Sequence, residues 1–256
     1  MKKRGVLVIA HGSSKKDWVK LVDQAMGQVQ FDGPLVTSFL EMVEGRTILD
    51  GIQALESQGV QEMFVVPLFV SSGSTHIEEI SYLLGLEENP TIEIDEQPFP
   101  IQAKLHLCSA MDDHPLINQI VIERTRELST HPETEILLLV GHGSDLPGFQ
   151  EKWEQGMANL ALRTQQELGL SAASFATMHP DNLNRRVKDL SLKHRVLVLP
   201  LFLSEGYFTR KVIPSRLEGL EYVYTGKTFL PHTLIPRWVE SVLQEKVDQL
   251  LKAPLV

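Results

Sequence analysis

The sequence predicts an α/β protein built of two tandem, similar βαβ domains, each around a parallel sheet and with a cleft between them. Three observations carry this expectation. Short, unbroken apolar runs such as residues 6–10 (VLVIA) and 136–140 (ILLLV) read as strands buried on both faces, since a sheet covered on both sides needs no polar alternation. Segments of helical period, residues 18–29, 47–57 and 77–84, fall between such runs, and that alternation is the pattern of βαβ units. The chain also repeats itself.

In chain order, residues 6–10 form a first strand that ends at His11-Gly12-Ser13. Residues 36–39 (VTSF) form the next, leading to Glu41, and residues 63–70 (MFVVPLFV) a third, leading through Ser71-Ser72-Gly73-Ser74-Thr75 to His76 and a helix from Ile77. The second half echoes this order with 136–140 before Gly141-His142-Gly143-Ser144, with 172–175 (AASF), and with 196–203 (VLVLPLFL). Offsets are 131 residues between His11 and His142, 133 between Pro67 and Pro200, and 136 between Ser38 and Ser174. His114-Pro115-Leu116-Ile117 and His232-Thr233-Leu234-Ile235 each precede a helical pattern. The proline-containing stretch 129–133 (STHPE) suits a linker, so the expected domains are 1–130 and 133–256.

The bulk composition narrows the function. At 43% hydrophobic and 22% charged residues the chain is of globular type. A net charge of -9, from 33 acidic and 24 basic residues, leaves no broad basic surface for nucleic acid, while it favours cations. Cys108 is the only cysteine, which excludes an intrachain disulfide and any cysteine-rich metal site. No run reaches the ~18 apolar residues of a membrane span, and residues 5–10 are too short for a secretory signal. A cytoplasmic protein without membrane contact is expected.

Open parallel sheets bind ligands beyond the carboxyl ends of their strands. His11, Glu41 and His76 each follow a strand of the first half, so all three should stand at one rim. Two imidazoles and a carboxylate suit Co²⁺, Fe²⁺, Ni²⁺ or Zn²⁺ better than Mg²⁺ or Ca²⁺. Each also has a plainer reading, as a strand-end cap, a loop histidine or a surface carboxylate. The repeat discriminates between them. Sliding the halves together puts Thr177 opposite Glu41 and Thr209 opposite His76, and only His142 keeps its histidine. Architecture survives in the second half and the candidate ligands do not, which points to one complete site in the first domain and a degenerate one in the second.

His179 reads as a loop histidine, and His106, His114, His131, His194 and His232 as surface residues. Lys15, Lys16, Arg46, Arg210 and Lys211 are candidates for substrate carboxylates. Glu78 and Glu79 sit where any helix start favours acids.

The segments AHGSS (10–14), SFLE (38–41) and VPLFVSSGSTH (66–76) resemble those of the sirohydrochlorin chelatase family that includes CbiX and SirB. The chain looks like its long form, with two chelatase-type domains in tandem. The resemblance implies insertion of Co²⁺ or Fe²⁺ into sirohydrochlorin, without a nucleotide, on the way to cobalamin or siroheme. It places the family's metal-handling histidines on His11 and His76 and its strand-end glutamate on Glu41. Two internal domains favour a monomer.

Two rival classes remain. A histidine phosphatase also sets His-Gly after an early strand, but Ala10 precedes His11 where a phosphate-holding arginine is needed. The other is a non-catalytic protein of chelatase fold that binds metal or tetrapyrrole.

Overall fold

The first apolar run becomes strand β1 (Arg4–Ala10), central in a sheet of order β2-β1-β3-β4, with β2 at Leu35–Phe39, β3 at Glu62–Pro67 and β4 at Lys104–Leu107. All pairings are parallel. Val6 to Ala10 are wholly buried, and because successive side chains point to opposite faces, both faces of β1 are covered. This is the reason VLVIA carries no alternation. The computed structural model describes residues 2–252.

Helices α1 (Lys16–Met26), α2 (Ile48–Ser57) and α3 (Thr75–Leu83) connect these strands. Leu7, Ile9, Met63 and Val65 of the sheet share one core with Ile52 and Leu55 of α2 and Ile80 of α3. Each such buried aliphatic side chain contributes about 1.5–3 kcal/mol relative to exposure. A capping box starts α2: the Thr47 hydroxyl accepts from the Asp50 backbone N–H at 3.2 Å, and the Asp50 carboxylate accepts from that of Thr47 at 2.8 Å. Such a cap contributes about 1 kcal/mol.

The second sheet has order β6-β5-β7, again parallel, from β5 (Glu135–Gly143), β6 (Ala172–His179) and β7 (Arg195–Pro200). Its central strand is the counterpart of β1. Where the first sheet has β4, the second has only a bridge between Leu197 and Val223 among the described residues. Helix α4 is Pro115–Leu128, α5 is Phe149–Leu168 and α6 is Leu183–Ser191; a π-helical turn at Phe208–Val212 runs into α7 (Ile213–Arg216), and α8 is Leu234–Lys252. Leu138, Val140, Met178, Leu183, Val187, Val198 and Ile213 form the core of this unit.

The compact units do not coincide with the halves of the sequence. Helix α4 belongs with β5, β6 and β7, while α8 from Pro236 onward belongs with β1 to β4. In the first unit, Glu240 of α8 accepts from the Gln30 backbone N–H at 2.8 Å. In the second, Asn118 of α4 donates to the Thr164 hydroxyl of α5 at 3.2 Å. The repeat is still visible where the two helices begin, since His114 Nδ1 accepts from Leu116 N at 3.1 Å and His232 Nδ1 from Leu234 N at 3.2 Å. The stretch read as a linker is anchored: Ser129 and Thr130 donate to the buried Glu135 carboxylate, which also pairs with Arg195. Among the described residues no helix is long and apolar enough to cross a membrane.

Candidate metal-handling site

The parallel ladder of β1 and β2 delivers the first two side chains. It pairs Ala10 with Phe39 and runs past the strand ends, with Leu40 N donating to Ala10 O at 2.9 Å and Glu41 N to His11 O at 3.0 Å. This closeness requires the glycine between. Gly12 has φ +103, and a Cβ there would lie 1.9 Å from the Glu41 carbonyl oxygen, so no side chain fits. His76 lies in the first turn of α3.

The structure brings the three predicted residues together within the first unit. His11 Nε2 is 3.3 Å from Glu41 Oε1, and the His11 and His76 ring centroids are 4.8 Å apart at an interplanar angle of 80°. Two imidazoles binding one ion through nitrogens at 2.0–2.1 Å would have centroids roughly 4.5–5 Å apart. The side chains of His11, Glu41 and His76 are 40%, 46% and 34% exposed, hence reachable by a ligand.

Proton placement follows from the acceptors. His11 Nδ1 is 3.3 Å from the Gly12 carbonyl and His76 Nδ1 is 2.8 Å from Glu79 Oε2. Carbonyl and carboxylate oxygens only accept, so His76 donates from Nδ1 to Glu79 and, when neutral, keeps its lone pair on Nε2. His11 has an acceptor oxygen at each ring nitrogen, Gly12 O at Nδ1 and Glu41 Oε1 at Nε2, and a neutral ring can donate to only one of them. Among the described residues no group of three or more His, Cys, Asp or Glu side chains is arranged so that it could hold a metal ion as it stands.

Glu79 is the residue that sequence reasoning missed. Treating Glu78 and Glu79 alike, as acids at a helix start, fails because their partners differ. Glu79 orients His76, whereas Glu78 accepts from the backbone and hydroxyl of Thr91. The missing signal was the helix start. With α3 beginning at Thr75 instead of Ile77, His76 and Glu79 lie three apart on one helical face, where side chains meet.

Several basic residues and histidines differ from expectation. Arg46 is engaged by Asp23 through two bonds of 2.9 and 2.7 Å and lies over the Phe39 ring, and Arg210 is held by Glu205. Lys15, Lys16 and Lys211 form no ion pair among the described residues. His106, read as a surface residue, is buried against Phe64 with ring centroids 5.2 Å apart, and burial lowers its pKa. His232 is also largely buried, bonded to Glu123 at 3.1 Å.

In the second unit the strand register corrects the alignment of the halves. Val140 pairs with Ala176 just as Ile9 pairs with Ser38. The place of Glu41 is therefore taken by His179, not by Thr177. Gly143 confirms it: φ is +77 and a Cβ would lie 2.1 Å from the His179 carbonyl oxygen, repeating the approach of Gly12 to Glu41. Thr209 is buried, its hydroxyl accepting from Gly206 N at 2.9 Å. The ring set edge-on against His142, as His76 is against His11, is that of Phe208, at 5.3 Å and 78°.

Parallel sheets each built around a central first strand, duplicated within one chain, with imidazoles and a carboxylate presented at strand ends, define a chelatase-like α/β protein. The sequence profile of the CbiX family matches residues 5–128 and again residues 136–249. The chain belongs to the CbiX family. Sirohydrochlorin cobaltochelatase of Methanosarcina barkeri is 30% identical over 132 residues, 49% of this chain and 96% of that protein. A probable sirohydrochlorin cobaltochelatase of Halobacterium salinarum is 25% identical over 181 residues, covering 64% of this chain and 59% of its own length. SirB from Bacillus subtilis, solved with Fe³⁺, superposes with a TM-score of 0.72 at 16% identity, covering 95% of each chain. At that identity the likeness is one of fold.

Proposed function

We propose that the protein inserts a divalent metal, Co²⁺ or Fe²⁺, into sirohydrochlorin without a nucleotide, in cobalamin or siroheme biosynthesis, and that its complete site lies in the N-terminal half at His11, His76 and Glu41. The observation that carries this reading is the cluster of two imidazoles, each with Nδ1 occupied by an oxygen acceptor, beside a carboxylate 3.3 Å from His11 Nε2. Sirohydrochlorin and cobalt are what the relatives' names supply, and iron is present in the SirB structure.

Metal insertion exchanges two pyrrole N–H protons for one ion, so the site must offer ligands that let go and bases that accept. Neutral imidazole does both, with an ordinary pKa near ~6.5. His11 and His76 hold the incoming ion through their Nε2 lone pairs, release it to the macrocycle and take the protons that leave; Glu41 balances the charge and carries protons onward. Glu79 holds His76 in the required tautomer. In this scheme Lys15 and Lys16, at the start of α1, meet the substrate carboxylates. Both metals suit this nitrogen and oxygen set, and the working form is proposed to be a cytoplasmic monomer.

The test is metal insertion followed by absorbance, with purified protein, sirohydrochlorin and Co²⁺ or Fe²⁺, for wild type, His11→Ala and His76→Ala. Each variant should lose at least about 10²-fold in rate while keeping its melting temperature. Near-normal rates in both would refute the assignment. A spectral change stoichiometric with wild-type protein and never catalytic would identify a carrier instead.

A further inference from the structure

We propose that Phe69 is a positioning residue of the metal site: its ring is the wall that sets the plane of the His76 imidazole, so that His76 turns to the same ion as His11. This inference rests on the metal-handling role given to His76 above. Phe69 is buried, and its ring centroid lies 6.0 Å from that of His76 at an interplanar angle of 42°. His76 therefore meets two rings, Phe69 and the His11 imidazole, the latter edge-on at 4.8 Å and 80°. The bond from His76 Nδ1 to Glu79 leaves the imidazole free to turn about the bond axis. A ring packed against it removes that freedom, because aromatic pairs hold a limited set of mutual orientations.

The second unit separates the wall from the hydrogen bond. There Phe208 is edge-on to His142 at 5.3 Å and 78°, and it is stacked on Phe202 at 5.7 Å and 21°. Phe208 has no ring nitrogen to give to a carboxylate, yet its plane makes nearly the same angle with His142 as that of His76 makes with His11. The local helix does not explain the pose either. His76 comes seven residues after Phe69, in the first turn of α3, whereas Phe208 comes six after Phe202 and opens a π-helical turn. What the two units share is a first-strand histidine and a phenylalanine. Phe69 and Phe202 each lie two residues beyond the proline that ends β3 or β7. The same ladder delivers them, with Leu68 N donating to Ile9 O at 2.7 Å and Leu201 N to Val140 O at 2.8 Å. The wall belongs to the sheet, and the middle ring conforms to it. In the first unit that ring is an imidazole, so Phe69 sets its plane and Glu79 sets which nitrogen carries the proton. Phe69 touches neither ion nor substrate in this scheme; it acts through His76.

Phe69 also packs in the core with Ile9 and Ile80, so the experiment must separate positioning from packing. Co²⁺ affinity is measured by calorimetric titration of the full chain without tetrapyrrole, beside thermal melts. Phe69→Leu and Phe69→Met keep apolar volume but lose the flat face, and each should bind Co²⁺ about 10-fold more weakly, as expected when the support of a metal ligand is removed. Phe202→Leu removes the counterpart wall as a control for lost packing and should leave Co²⁺ affinity unchanged. In a His76→Ala background, Phe69→Leu should cause no further loss, because the two residues act as one unit. The proposal is overturned if a folded Phe69 variant binds Co²⁺ within about threefold of wild type, if the loss persists in full in the His76→Ala background, or if Phe202→Leu causes the same loss. A His76→Ala protein that binds Co²⁺ like wild type would instead remove His76 from the site and this inference with it, an outcome read from that variant alone.

Discussion

Replacing Gly12 with alanine should disable metal insertion at a modest cost in stability. The new Cβ would lie 1.9 Å from the Glu41 carbonyl oxygen, whereas close carbon–oxygen contacts settle near ~3.3 Å. The segment carrying Glu41 must therefore retreat by about 1.4 Å, or Gly12 must leave its φ of +103; holding an alanine there costs of order 1–3 kcal/mol. For a chain of this size each kcal/mol lowers Tm by about 2–4 °C, so a drop of several degrees is expected with the fold retained. The site suffers more, because the 3.3 Å contact of His11 with Glu41 depends on that approach. Misplacement by about 1 Å can reduce a rate about 10²-fold. Gly45→Ala is the control: its φ is +71, but an added Cβ meets nothing within 4 Å, so it bears backbone strain alone and should keep its rate. Thermal melts and initial rates of sirohydrochlorin metallation measure both effects. A Gly12→Ala protein that inserts metal within about threefold of wild type would show that catalysis does not need Glu41 beside His11.

The remaining predictions concern other residues. Glu79→Ala should lower activity about 10–100-fold by freeing His76, and Glu79→Gln should recover part of it because an amide oxygen still accepts from Nδ1; Glu78→Ala should leave kcat and KM unchanged, and the reverse ranking would sink the positioning role. The Glu135 carboxyl is raised by its burial but brought down, net, to about 2 by hydrogen bonds from Ser129, Thr130, His131 and Arg195, against an ordinary 4.5. Its stabilisation is complete above pH 4.5 and lost as pH falls toward 2. Urea melts across that range should show a shallower acid decline for Glu135→Gln than for wild type. The Cys108 thiol is pushed up to about 12 by burial, so native protein should resist iodoacetamide at pH 8 and react only on unfolding; stoichiometric native labelling would contradict this.

The first three strands of each half and the duplication were legible because a strand buried on both faces leaves an unbroken apolar run, and both halves carry the same runs; the short β4 and the order of strands within each sheet were not. The rim on which His11, Glu41 and His76 stand was legible too, since a parallel sheet places all its strand ends on one side. The role of Glu79 was not, because it depends on whether α3 starts at Thr75 or Ile77, a boundary that weak local propensities leave unspecified. Nor was the buried state of His106, whose neighbours come from distant segments.

The place of His179 shows the limit most clearly. Aligning Ser38 with Ser174 puts Thr177 opposite Glu41, while the ladder aligns Ser38 with Ala176. The two choices differ by two residues, the period of a strand, so either leaves the same side chains on the same face, and the local pattern cannot separate them. Backbone pairing to the neighbouring strand selects one. The helices behave alike: α4 and α8 each advertise an apolar face, but periodicity carries no address, and which sheet that face covers was settled by packing.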